Sequence, residues 1–328
     1  MLNSQQQLRL LSWYEVNKRD LPWRQTNDPW AILVSEILLQ QTQVSRGRVY
    51  WHRMMERFPT VASMAVAPVD DVLKAWEGAG YYSRARRLHA LSQTVMASVE
   101  EGGFGGALPR TYDALLTLPG VGPYTAAAVA SIAFEQAVAC VDGNIRRVMA
   151  RITAQEDPAP GAVQAWADAS IVGARSGDWN QALMELGATV CTPRRVGCLQ
   201  CPLHDGCEGS SSPESYPRPK PKRVKKTVLT AYVEWAQDGH LVLHQRPSTG
   251  LFSGLWGPVY REGTFPLEDG SVACGAVSHK LSHRDMTVHV VALTTSERLE
   301  GVRREDVALS SLDEKVLEAA RKGAMADH

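Results

Sequence analysis

Residues 118–134 read Leu-Pro-Gly-Val-Gly-Pro-Tyr-Thr-Ala-Ala-Ala-Val-Ala-Ser-Ile-Ala-Phe, and residues 141–151 read Val-Asp-Gly-Asn-Ile-Arg-Arg-Val-Met-Ala-Arg. In the first stretch a two-glycine turn runs through a proline into small and apolar residues, so a tight turn feeds a helix N-terminus. Backbone N–H groups of Gly120 and Gly122, on either side of Val121 and aided by the helix dipole, form a site there for an anion such as a phosphate, and the three residues are DNA-contact candidates. An ordinary connection between two helices would use the same glycines. The downstream aspartate, Asp142, in its own Gly-Asn context, weighs against that plainer reading.

Outward from this hairpin, apolar positions across 1–190 recur at three and four, and alternating β-branched runs are scarce. The spacing predicts an all-α region. Asp28-Pro29 ahead of Trp-Ala-Ile-Leu-Val-Ser-Glu-Ile-Leu-Leu places a capping residue and a first-turn proline before an apolar helix, and Glu36 lies inside it. A carboxylate among apolar neighbours costs free energy unless paired, and burial raises its pKa. Such a group, protonated near neutral pH, suits a general acid; an ion pair with an arginine is the bland alternative. The glycine-rich stretch 101–109 lacks the Gly-Lys-Ser/Thr ending of a phosphate loop and reads as a helix connection.

With 328 residues the chain is long enough for two domains, and 44% hydrophobic against 21% charged residues excludes global disorder. Thirty-five basic residues balance thirty-five acidic ones, so a nucleic-acid partner needs a local patch. Residues 208–226 carry 6 Lys/Arg and 2 Asp/Glu, whereas residues 227–328 carry 10 and 14. Prolines in the basic stretch block regular structure and mark a linker. Beyond it, Val-Leu-Thr-Ala-Tyr-Val-Glu-Trp and Met-Thr-Val-His-Val-Val-Ala-Leu read as strands and 311–323 as a helix, an α+β domain. The division is therefore 1–208, linker 209–226, and 227–328.

Four of the six cysteines, Cys191, Cys198, Cys201 and Cys207, fall in a C-x6-C-x2-C-x5-C spacing, while Cys140 and Cys274 stand alone. No run is apolar enough for a membrane span, and the first residues lack the apolar core of a signal peptide, so a cytoplasmic protein is expected. Cysteines there do not pair as disulfides. Four clustered thiolates fit zinc or an iron–sulfur cluster, and the residues alone leave both open. His204, within the loop, is read as a surface residue.

The cysteine spacing resembles the [4Fe–4S] loop of the endonuclease III superfamily of DNA glycosylases. The hairpin with Asp142 resembles that superfamily's helix-hairpin-helix and Gly/Pro/Asp signature. Stretches 19–44, 78–89 and 180–193 further resemble the MutY family of adenine DNA glycosylases, a likeness covering most of 8–207. It implies a multi-domain fold: an all-α helix-hairpin-helix glycosylase region with an iron–sulfur loop, then an α+β MutT-like (Nudix-fold) domain. It implies a monofunctional enzyme of base excision repair that removes adenine opposite 8-oxoguanine or G in double-stranded DNA, as a monomer, nucleoid-associated if bacterial.

By the same resemblance Glu36 protonates adenine and Asp142 stabilises an oxocarbenium-like sugar, by charge or transient attachment. Asn144 orients Asp142 and water, Tyr124 lines the site, and Trp23, Arg24, Glu185 and Arg19 match the adenine pocket. Tyr124 stands where lyases carry the Schiff-base lysine, and a phenol forms no imine. Gln41, Thr42 and Tyr81 match residues that wedge beside 8-oxoguanine, with Ala79 where leucine is common. Residues 227–328 lack a glutamate-rich pyrophosphohydrolase box, which implies recognition without hydrolysis. The segment 279–283 matches the loop contacting 8-oxoguanine, retaining Ser282 and His283 but with Leu281 for phenylalanine; a polar turn between strands is the plainer reading. Two rivals are a bifunctional endonuclease III-like lyase and a DNA-binding redox sensor without catalysis.

Overall fold

The computed structural model describes residues 1–219, 224–236, 239–267, 269–281, 283–294 and 301–326. Its helices are α1 (Ser4–Asn17), α2 (Pro29–Leu39), α3 (Val44–Arg57), α4 (Val61–Ala65), α5 (Val69–Ala75), α6 (Ser83–Met96), α7 (Tyr112–Leu116), α8 (Pro123–Phe134), α9 (Gly143–Ile152), α10 (Pro160–Ser170), α11 (Ser176–Thr189) and α12 (Ser311–Ala326). Its strands are β1 (Lys225–Trp235), β2 (Leu241–Val242), β3 (His244–Gln245), β4 (Trp256–Gly257), β5 (Val259–Glu262), β6 (Ser271–Lys280) and β7 (Arg284–Thr294). The chain forms two compact units, Met1–Val66 with Arg87–Lys220, and Ala67–Arg86 with Pro221–His328.

The first unit is helical and centres on α8, where every residue from Thr125 to Ser131 is buried. Small side chains there let α2, α7 and α11 pack closely; a Cβ on Gly177 of α11 would come 2.7 Å from the Ser131 carbonyl of α8. Around this axis Leu10, Tyr14, Ile145, Trp179 and Leu183 build the core, each burial contributing about 1.5–3 kcal/mol. Asp28 caps α2 by accepting from Trp30 N at 3.0 Å, with Pro29 in the first turn. Trp30 through Leu38 are all buried, so α2 is enclosed on every side, and Glu36 with it.

The second unit is α+β. Its main sheet runs β2-β1-β7-β6, with β5 also on β1; β1 and β7 are parallel and the other pairs antiparallel. Helix α12 covers the sheet through Leu312, Val316, Leu317 and Ala320 against Val288, Val290 and Ala231.

Two boundaries differ from the sequence reading. Residues 67–86, assigned by sequence to the all-α region, belong to the second unit. There Lys74 Nζ donates to Val307 O at 2.8 Å, Leu309 N to Glu77 Oε1 at 2.9 Å, and the Tyr82 hydroxyl to Leu309 O at 3.1 Å. Polar links across such a sequence separation leave no local signal. The linker also ends sooner, because Lys225 and Lys226 open β1, Lys225 N donating to His283 O at 3.0 Å. Among the described residues no helix is long and apolar enough to cross a membrane.

Candidate active site

Glu36, Tyr124, Asp142, Asn144, Arg19, Trp23, Arg24, Glu185, Gln41 and Thr42 line one cavity of about 610 Å3 in the first unit, within the usual range of small-molecule sites. Helix α2 contributes Glu36, the first turn of α8 Tyr124, the head of α9 Asp142 and Asn144, and α11 Glu185. Burial pushes the Glu36 carboxyl up to about 7; a hydrogen bond from Tyr124 opposes this, Asp142 adds to it, and Arg24 opposes it. The Tyr124 hydroxyl donates to Glu36 Oε2 at 2.7 Å and contacts Met184 Sδ at 3.2 Å. Its own pKa is driven well above the ordinary phenol value by burial and by Glu36, so it stays a donor.

Asp142 is the N-cap of α9. Its Oδ1 accepts from Ile145 N at 2.8 Å and its Oδ2 from Asn144 Nδ2 at 2.7 Å, which fixes the carboxylate in one orientation. Asn144 is held in turn by Arg147 Nη2 at 2.8 Å. The same guanidinium reaches Gly187 O at 2.7 Å and, through Nε, Cys191 O at 2.8 Å. A side chain on Gly187 would meet Asn144 Cβ at 2.6 Å, so only glycine lets α11 approach α9 here.

At the other end of the cleft Glu185 is saturated. Its Oε1 accepts from Arg19 N and Nε at 3.0 and 2.7 Å, and its Oε2 from Arg19 Nη2 and Arg24 Nη2 at 2.8 and 2.9 Å. Burial raises this carboxyl, but the two arginines bring it down to about 2. With its acceptor sites filled, Glu185 positions the arginines and has no acceptor left for a ligand. Gln181, one turn earlier on α11, was not singled out by sequence. It lines the cleft with a carboxamide that has no hydrogen-bond partner among the described residues. Its i, i+4 spacing from Glu185 is the signal that could have found it.

Residues 34–168 match the HhH-GPD superfamily of base excision DNA repair proteins. The adenine DNA glycosylase of Homo sapiens is 39% identical over 75% of this chain, which spans only 56% of that protein. That of Mycolicibacterium smegmatis is 43% identical over 60% of this chain and 67% of its own length. The chain belongs to the adenine DNA glycosylase family. Its helical fold is also that of a thermostable thymine-DNA glycosylase, 30% identical, with a TM-score of 0.58 over 62% of this chain and 94% of that one.

The glycine turn at 118–122 leads into α8 as the sequence reads. Gly120 adopts φ +78° and lies against Arg87, where a Cβ would meet the arginine's Cβ at 2.7 Å. Val121 N donates to Leu118 O at 3.2 Å, while the amides of Gly120 and Gly122 keep no acceptor among the described residues.

Two of the three proposed wedge residues share a backbone feature. Gln41 and Tyr81 are non-glycine residues with φ of +59° and +49°, a strained state that surrounding structure must impose. For Tyr81 the scaffold is Arg84, whose Nη2 donates to Ala79 O and Gly80 O and whose guanidinium lies between the Trp76 and Tyr81 rings. In the second unit His283 is exposed at the β6–β7 turn; Ser282 lies outside the described residues.

Cys191, Cys198, Cys201 and Cys207 line one small cavity together with Arg151 and His204. Arg151 Nη1 donates to Cys191 Sγ at 3.3 Å, and Cys207 Sγ to Arg151 O at 3.4 Å. Burial pushes the Cys201 thiol up to about 12, and the neighbouring cysteines add to it, so thiolates gathered here require a cationic group between them. Among the described residues no three Cys, His, Asp or Glu groups stand as ligands of a single metal ion. Four cysteines lining one cavity suit a metal group held by thiolates.

Proposed function

We propose that this chain is a monofunctional adenine DNA glycosylase, acting as a monomer on double-stranded DNA and removing adenine mispaired with 8-oxoguanine or G. The observation that carries the reading is the pairing in one cleft of a buried carboxyl near pKa 7, Glu36, with a fixed carboxylate, Asp142.

Adenine flips from the helix into the cleft. Glu36 gives its proton to N7, the bond from N9 to the sugar C1′ breaks, and the electron pair leaves with a neutral base. The positive charge left on the sugar faces Asp142, which stabilises it until water adds to C1′ and yields its proton to the carboxylate left at Glu36, restoring the acid. Asn144 keeps Asp142 aimed, and Arg147 keeps Asn144 in place. Arg24, Arg19, Trp23 and the unpaired carboxamide of Gln181 enclose and read the base. No lysine lines the cleft among the described residues, and a phenol at Tyr124 forms no imine, so the DNA strand is left uncut.

The four cysteines would hold a [4Fe–4S] cluster, which cross-links the 191–207 loop. The second unit acts as a MutT-like domain that recognises 8-oxoguanine through Ser282 and His283, while Gln41, Thr42 and Tyr81 fill the gap left in the stack. Gly120 and Gly122 bind phosphate. The work is done in the cytoplasm, on chromosomal DNA.

Single-turnover incubation with duplexes carrying A opposite 8-oxoguanine, G or T, with and without alkali, tests the reading. Strand breaks only after alkali, fastest opposite 8-oxoguanine, are expected. Breaks without alkali would establish a lyase, and intact DNA with cluster-loaded protein would refute catalysis.

A further inference from the structure

The second unit is acidic in composition and basic in one place. Although residues 227–328 carry 10 Lys/Arg against 14 Asp/Glu, one end of the sheet gathers Lys225, Lys226, Lys280 and Arg284. The parallel register sets Lys225 beside Arg284 and Lys226 beside Asp285; the antiparallel one sets Lys280 beside the same Asp285. Because successive side chains of a strand point to opposite faces, Lys226, Asp285 and Lys280 share one face of three adjacent strands, each about 4.8 Å from the next, and Lys225 and Arg284 stand side by side at the same end on the other.

Lys226, Lys280, Arg284 and Asp285 line a recess of about 260 Å3. Lys225, Lys226 and Lys280 are exposed and Arg284 is half-buried, and none of the four has an ion-pair partner among the described residues. Two arginines elsewhere in this unit, by contrast, are taken up, Arg246 by Asp313 and Arg304 by Glu77 and Glu314. One carboxylate against three cations leaves the recess net positive, and a polyanion laid across it relieves the remaining repulsion. Duplex DNA, with about one charge per 1.7 Å of axis, presents several phosphates to a corner of this width.

We propose that this corner grips the sugar–phosphate backbone of duplex DNA, anchoring the second unit beside its β6–β7 turn; the proposal rests on the glycosylase reading above. Lysines act here as point charges and Arg284 as a fork, and none of them reads sequence. The corner therefore supplies affinity, and the selectivity for the opposite base lies elsewhere.

The test is the salt dependence of binding by the full chain to an unreactive duplex with a tetrahydrofuran abasic analogue opposite 8-oxoguanine. Lys226→Gln combined with Lys280→Gln should lower the slope of log K against log salt by about one unit for each phosphate no longer neutralised. Both side chains are exposed and unpaired, so the variant folds. Arg284→Gln, measured with its thermal unfolding, probes a third phosphate. An unchanged slope beside wild-type adenine release overturns this corner alone. Failure of the wild type to release adenine overturns the glycosylase reading, and a lowered slope supports the corner in either case.

Discussion

Glu36 and Glu185 enter the same cleft, both nearly inaccessible at 7% and 1% exposure, yet one carboxyl is pushed up to about 7 and the other held down to about 2. Burial acts on both in the same direction. The difference lies in the donors: Glu36 has one phenol hydroxyl, whereas Glu185 takes four hydrogen bonds from Arg19 and Arg24. Among the described residues the apolar length of α2 leaves no cation in reach of a hydrogen bond to Glu36, while the segment 19–24, ending in the 3-10 turn Pro22–Arg24, delivers two arginines to α11. One end of the cleft can give up a proton, and the other is a fixed ion cluster that shapes the wall.

The largest expected effect comes from removing the proton. Glu36→Gln keeps the volume and should slow adenine release by about 10²–10⁴-fold, the usual range for a positioned acid, with duplex binding retained. Undiminished release in single-turnover assay would sink the assignment of Glu36 as the acid. Stability sharpens the contrast further. A carboxyl raised in the folded state contributes stability below the unfolded value of 4.5 and loses it as pH rises through about 7. Glu36→Gln should therefore stabilise the fold at pH 8, by about 1–3 kcal/mol in denaturant titration.

Much of this cleft is legible in the sequence, because its chemistry sits in short motifs whose local structure is self-determined. Asp28-Pro29 starts α2, Asp142 caps α9, and Tyr124 follows a glycine turn, each fixed by residues within one helical turn. What was not legible depends on distant partners. Glu185 reads as a pocket residue until two arginines from 19 and 24 are seen to fill its acceptors. Gln181 stays unnoticed because only the folded cleft shows its amide without a partner. Residues 67–86 join the second unit through side chains that meet partners at 304–309, and Lys225–Lys226 look like linker until β7 pairs with them.

At the ion-cluster end the sign reverses. A carboxyl lowered in the folded state contributes stability above its unfolded value of 4.5 and loses it as pH falls toward about 2. Glu185→Gln should destabilise at neutral pH by about 3 kcal/mol, since Arg24, with a side chain only 11% exposed, is left buried without its partner. It should also flatten the loss of stability between pH 4.5 and 2. Denaturant titrations of the two glutamine variants at pH 8 that moved in the same direction would break the contrast between the two ends.

The smallest effect tests the single donor on Glu36. Tyr124 stabilises the ionised carboxylate through its 2.7 Å hydrogen bond, so Tyr124→Phe removes an influence that lowers the Glu36 pKa and moves it further above about 7. Adenine release needs Glu36 protonated and declines as pH rises through that value, so the decline in the variant should begin at higher pH. On the acid plateau, where Glu36 is protonated in both proteins, the rates should differ by less than about tenfold, because the proton donor itself is intact. A single-turnover pH profile reads both features at once. If the decline keeps its position while the plateau falls, Tyr124 serves the sugar or the base directly and the Glu36 proton is not under its control.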